Sequence, residues 1–141
     1  MYVDSAYIAK FYLNEPDSPQ VRTAFAGASA LVSSMWALGE VACAFHRNLR
    51  EGSLDPPQYR ALLNAFLQHV DGRIWTFVPV TERLLRKMTL LLTTLPATVH
   101  LRTGDAMHLT TAMDLGEREI WTSDRHVLAG AQHFGLSGRT A

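Results

Sequence analysis

Met1-Tyr2-Val3-Asp4-Ser5-Ala6 opens the chain with an apolar triplet, an aspartate and the start of a helical pattern. A three-residue apolar run is short enough for a strand, and the helical spacing from about Ser5 to Leu13 puts Asp4 at the joint between the two. The same order returns near the other end. Ile120-Trp121-Thr122 is followed by Asp124, which begins a helical pattern reaching Phe134. If both runs are parallel strands of one sheet, Asp4 and Asp124 stand together at its carboxyl edge. Open α/β sheets place their ligand crevice there.

Between these junctions strands and helices alternate. Ser18-Pro19 offers an N-cap with proline at the first helical position, and that helix runs to about Gly27. Ala30-Leu31-Val32-Ser33 reads as a strand, with Ser33 or Ser34 capping the helix that follows. There Leu38, Val41, Ala42, Phe45 and Leu49 recur at steps of three and four, and Gly52 stops the helix. Asp55-Pro56-Pro57 restarts a helix striped by Tyr59, Leu62, Leu63, Phe66 and Val70. Ile74 to Val80 is the clearest strand, Thr81 caps a helix to about Thr93, and Pro96 breaks it. Thr103 caps a helix from Gly104 to about Leu115, and the tail from Leu136 to Ala141 reads as partly frayed. Such alternation argues for a parallel sheet covered on both faces.

The composition narrows the class. The 141 residues, 48% hydrophobic, suit a single domain with a real core. No apolar run approaches the ~18 residues of a membrane span, and the N-terminus lacks the marks of a secretory signal. The single cysteine, Cys43, excludes an internal disulfide and cysteine-rich zinc sites, which points to a reducing cytoplasm. It reads as a packing residue. The formal charge is zero, from 13 Lys and Arg against 13 Asp and Glu. With four of those acids assigned to a metal site, 13 cations face 9 acids, a modest surplus for contacting phosphates.

Four acids carry the chemistry: Asp4, Glu40, Asp105 and Asp124. Singly, each has a structural reading. Asp4 and Asp124 fall where an aspartate caps free N–H groups. Asp105 lies in a first helical turn, where negative charge meets the helix dipole. Glu40 reads as a solvated helix-face acid. Together these readings weaken, because Ser18, Thr81 and Thr103 cap elsewhere without a carboxylate. Carboxylates gathered in one crevice repel each other and call for a counter-charge. A pair of divalent ions supplies it and is also the machinery for cutting phosphodiesters. Magnesium prefers oxygen ligands, few of them carboxylates, with several retained waters. Thr122, two residues before Asp124, places a hydroxyl where it can orient a carboxylate, and Ser5 suits a supporting hydrogen bond near Asp4.

These residues resemble the four motifs of PIN domains, most closely those of VapC toxins of toxin–antitoxin pairs. They are Tyr2-Val3-Asp4-Ser5-Ala6, Glu40 within Ser34 to Ala42, Gly104-Asp105-Ala106-Met107-His108-Leu109, and Trp121-Thr122-Ser123-Asp124. The likeness spans essentially the whole chain in order. It implies a PIN-like three-layer α/β/α sandwich with a central parallel sheet, residues 1–141 forming one domain. It further implies an endoribonuclease dependent on Mg2+ or Mn2+, usually a homodimer, silenced by a VapB-type antitoxin whose C-terminal segment covers the active site. The family's direct metal ligands map onto Asp4 and Asp105, and Glu40 and Asp124 complete the site through waters or a second ion.

Other residues read more plainly. His108 faces the same side of its helix as Asp105, but imidazole suits zinc or copper better than magnesium, so packing or hydrogen bonding is its expected role. Arg102 and Arg125 flank motif acids, where either can hold a phosphate. Trp36, Trp75 and Trp121 read as core or interface. The leucines between Leu84 and Leu95 exceed what one helix face needs and suggest an interface. Two competing readings stand beside the nuclease. A catalytically silent PIN-like scaffold, binding protein or RNA, has no reason to keep four mutually repelling acids. An aspartate-dependent phosphotransfer domain wants a second acid where Ala6 stands.

Overall fold

The computed structural model describes residues 1–141. Its elements are α1 (Ser5–Tyr12), α2 (Ser18–Ala26), β1 (Leu31–Ser34), α3 (Trp36–Arg50), α4 (Pro56–Asp71), β2 (Trp75–Val78), α5 (Glu82–Leu92), α6 (Thr103–Asp114), β3 (Glu119–Trp121), α7 (Arg125–Gly130) and β4 (Ser137–Arg139). A 3-10 turn over Ala131–Phe134 follows α7.

Strand β1 pairs in parallel with β2, and β3 with β4. Tyr2 and Val3 join the two pairs, bridging in parallel to Val32 on one side and Trp121 on the other. The order across the sheet is therefore β2, β1, the opening segment, β3, β4. Numbered along the chain from that segment, the strands run third, second, first, fourth, fifth. The winding reverses between the first and the fourth, and at that point a crevice opens beyond the strand ends.

Alternation along a strand sends neighbouring side chains to opposite faces. Val3 accordingly packs with Tyr7, Ile8, Phe45, Phe66 and Trp75 beneath α1 to α4. Tyr2 packs with Leu109, Ile120, Val127 and Phe134 beneath α6 and α7. A smaller cluster of Leu84, Met88, Ala106 and Met107 docks α5 on α6. The sheet is thus covered on both faces, giving the three layers expected. No helix is long and apolar enough to cross a membrane.

Several local expectations change. Ser18 is the first residue of α2 and not its cap; its hydroxyl accepts the Glu15 N–H, folding the preceding turn. Thr103 likewise lies inside α6, which Arg102 precedes and Asp105 closes by accepting the Arg102 N–H at 2.8 Å. Of the two serines expected at the start of α3, Ser33 donates its hydroxyl to Val3 O at 2.7 Å, and it is the Ser34 hydroxyl that accepts the Trp36 N–H, at 3.3 Å. The tail is ordered rather than frayed. Leu136 is buried, Ser137–Arg139 adds an edge strand, and the Ala141 N–H donates to the Tyr7 hydroxyl. Short polar sequence hid that strand, since its pairing partner β3 lies elsewhere in the chain. Cys43 is exposed, contrary to the packing role expected of it. On α5, Leu84 turns inward while Leu85, Leu90 and Leu92 stay exposed.

Candidate active site

The sheet brings the ends of the opening segment and β3 side by side, and Asp4 and Asp124 follow those ends. The Asp4 N–H donates to Trp121 O at 3.1 Å, which fixes the backbone at the junction. One carboxylate oxygen of Asp4 accepts the Tyr7 N–H at 3.0 Å, capping α1. The other accepts the Thr122 hydroxyl, and the same hydroxyl accepts the Asp124 N–H at 2.9 Å. Thr122 therefore ties the two junctions together, orienting Asp4 rather than Asp124. Asp124 caps α7 by accepting the His126 N–H at 2.7 Å. In Asp124 capping and site-lining are one arrangement, the cap occupying one oxygen and leaving the second to the crevice, whereas both oxygens of Asp4 are engaged.

Helices α3 and α6 supply the other two acids. Glu40 accepts from His108 Nε2 across 2.9 Å, and His108 Nδ1 lies 3.1 Å from the Tyr2 hydroxyl. His108 is buried, so this chain runs from the sheet to the cleft wall. Its role is the hydrogen-bonding one expected. The other oxygen of Glu40 lies against Gly104, where an added Cβ would overlap it and come within 3.3 Å of Trp36 Nε1. Asp105 faces the cleft one residue on. Arg102 spans the mouth, its guanidinium 3.9 Å from Asp105 Oδ2 and 3.8 Å from Asp124 Oδ2.

All four acids line a single cleft of about 790 Å³. Each, however, is held by its own donors, and no group of three His, Cys, Asp or Glu side chains is closed up enough to grip an ion between them. The electrostatics keep the need for one. Asp4 is 3% exposed, and burial pushes its carboxyl above the usual range, with Asp124 adding to the rise. His108, the Thr122 hydroxyl and the Tyr7 N–H offset this only in part. Burial also works against ionised Glu40, but His108, Ser5 and Trp36 outweigh it and hold that carboxyl below its usual range. Ser5 thus supports Glu40, not Asp4.

The donor set fits a hard divalent cation. The four acids offer carboxylate oxygens with room for retained waters, whereas Cys43 and His46 line the cleft farther along α3, beyond Glu40. Arg102 is the one arginine or lysine within 4.0 Å of these acids.

A family model of the PIN domain matches residues 1–131. The chain belongs to the PIN domain family. A crystal structure of VapC20 from Mycobacterium tuberculosis, a sarcin–ricin loop cleaving toxin, resembles this PIN domain with a TM-score of 0.70. The two are 14% identical, and the likeness covers 92% of this chain and 93% of that one, so what it shows is a common fold. A comparison with curated protein sequences gives no match.

Sequence reasoning missed that Tyr2 supports His108 and that Gly104 and Trp36 lie against Glu40, because nothing in their spacing points to those residues. Sequence reasoning also missed Arg47 and Arg50, which line the cleft farther along α3; the signal was the step of seven from Glu40 to Arg47, two helical turns that return to the same face. Arg125 lies outside the cleft, exposed and directed at the His126 ring. Gly104 yields a test. Alanine within a helix is favoured over glycine by roughly 1 kcal/mol, yet here its methyl displaces the Glu40 carboxylate. Gly104→Ala is therefore expected to fold with equal or greater stability and to lose nuclease activity about 10-fold or more, the scale seen when a ligand loses its supporting contacts. Unchanged turnover would show that the Glu40 position is unimportant.

Proposed function

We propose that this PIN domain is a metal-dependent endoribonuclease and the toxin of a VapBC-type pair. One observation carries the reading. At the point where the sheet reverses its winding, four carboxylates line one cleft, among them a buried Asp4 whose ionisation the protein itself disfavours. A cation in the cleft would offset both the mutual repulsion of the acids and the cost of ionising Asp4.

Asp4 and Asp105 would hold the ion directly, with Glu40 and Asp124 reaching it through waters or holding a second. When bound, Mg2+ or Mn2+ supplies a lowered pKa for the attacking water and charge stabilisation at the phosphoryl oxygens. The chain's own residues arrange the rest. Thr122 and the Tyr7 N–H keep Asp4 from turning. His108 fixes the distal oxygen of Glu40, and Ser5 supports it. Arg102, at the mouth, is 78% exposed and only loosely paired, so it is placed to take a non-bridging phosphate oxygen. No side chain is required as the nucleophile.

The exposed Leu85, Leu90 and Leu92 support an interface on α5, for a second copy of the chain or an antitoxin segment. A cytoplasmic ribonuclease left unrestrained would harm its host, which is the reason for an antitoxin. The test is cleavage of mixed RNA in Mg2+ or Mn2+, with a chelator as control. Chelator-sensitive internal cuts are expected, together with growth arrest on expression that co-expression of the neighbouring gene relieves. Intact RNA in both metals would favour the silent scaffold.

A further inference from the structure

The cleft has a second end. Beyond Glu40, helix α3 presents Cys43, Arg47 and Arg50 to the same cavity that the acids line. At 1.5 Å of rise per residue, Arg47 lies about 10 Å and Arg50 about 15 Å along the helix from Glu40. Neither guanidinium has a carboxylate within 4.0 Å, whereas Arg102, the other arginine of this cleft, has two. Two unpaired arginines in a concave site of a chain with no net charge are a local positive field facing an acidic one.

We infer that Arg47 and Arg50 form a phosphate-binding subsite that holds single-stranded RNA on one side of the bond to be cut. This rests on the ribonuclease reading above. The acidic end repels a phosphodiester until a cation is bound, so capture of the strand needs attraction from elsewhere. Guanidinium supplies it in bidentate form, with geometry as well as charge. The cleft is of small-ligand size, which admits a few nucleotides of one strand and not a duplex. A helix dipole also favours cations in the last turn of α3. That preference is indifferent to which face carries them, and these two line the cleft.

The experiment is fluorescence anisotropy of a labelled ten-nucleotide RNA in chelator, where no cutting occurs, titrated against salt. Wild type is compared with R47Q/R50Q and with R73Q/R118Q, which removes the same charge from exposed positions outside the cleft. For R47Q/R50Q the expected result is a dissociation constant raised about 10-fold or more. Its plot of log affinity against log salt should flatten by roughly 1.4, two contacts at ~0.7 each for a single strand. R47K/R50K should recover most of the slope. Affinity and slope equal to wild type, or an equal loss in R73Q/R118Q, would overturn the subsite. Wild-type protein that binds RNA through these arginines yet never cuts it in Mg2+ or Mn2+ would instead refute the nuclease reading and leave the subsite standing.

Discussion

Asp4→Asn and Asp105→Asn are each expected to lower RNA cleavage by about 100-fold or more while the protein stays folded. Removing a group that merely supports a metal ligand costs 10–100-fold, so removing a direct ligand should cost more. Asparagine keeps the volume and one capping oxygen, which leaves the Tyr7 and Arg102 N–H contacts available. Stability separates this from simple damage. Because the folded-state pKa of Asp4 is raised, its contribution to stability is fully present below the unfolded carboxyl pKa and is lost as pH rises through the folded value. Burial thus sets a cost on ionising Asp4 in the metal-free wild type that Asp4→Asn does not bear. The variant should melt in chelator at or above the wild-type midpoint, and be inactive. Near-wild-type cleavage by both folded variants would remove them from the metal site.

Magnesium or manganese is expected to raise the thermal midpoint of the wild type by roughly 5–10 °C. A ligand at ~100 times its dissociation constant that binds only the native state contributes about 2.7 kcal/mol. For a chain of this length each kcal/mol is worth about 2–4 °C. The gain should be larger at pH 7 than in acid, where protons compete with the ion for the carboxylates, and it should shrink in Asp4→Asn at either pH. Asp114 runs the other way. Its carboxyl is held well below the usual range by Arg83 and Lys87, so its contribution is present above the unfolded value and lost as pH falls. For that reason the comparison lies between wild type and variant at one pH, not along one melting curve. Identical midpoints with either metal and with chelator would argue that the acids share no ion.

The α/β class was open to sequence reading because periodicity is a local property. Val41 and Phe45 on α3, Phe66 on α4 and the apolar run of β2 each declare a buried face without reference to the rest of the chain. Motif acids were legible for a related reason. An aspartate at a strand–helix junction sits at a position that the backbone alone defines. Where sequence reading failed, the missing term was a distant neighbour. Ser137-Gly138-Arg139 is a strand because β3 lies beside it, not because its residues favour one.

What the amino-acid order determined by itself was the alternation of elements, the opposite facing of Tyr2 and Val3, and the placement of four acids at element ends and on α3. The tertiary structure alone decided which donors those acids meet. A hydroxyl 118 residues along the chain orients Asp4, and an imidazole 68 residues away fixes Glu40. Gly104 matters because the Glu40 carboxylate happens to cross it. Hydrogen bonds and charge act over a few ångströms in space and take no account of separation along the chain. Spacing can therefore nominate the ligands, while the residues that hold them in position are set by how the layers pack.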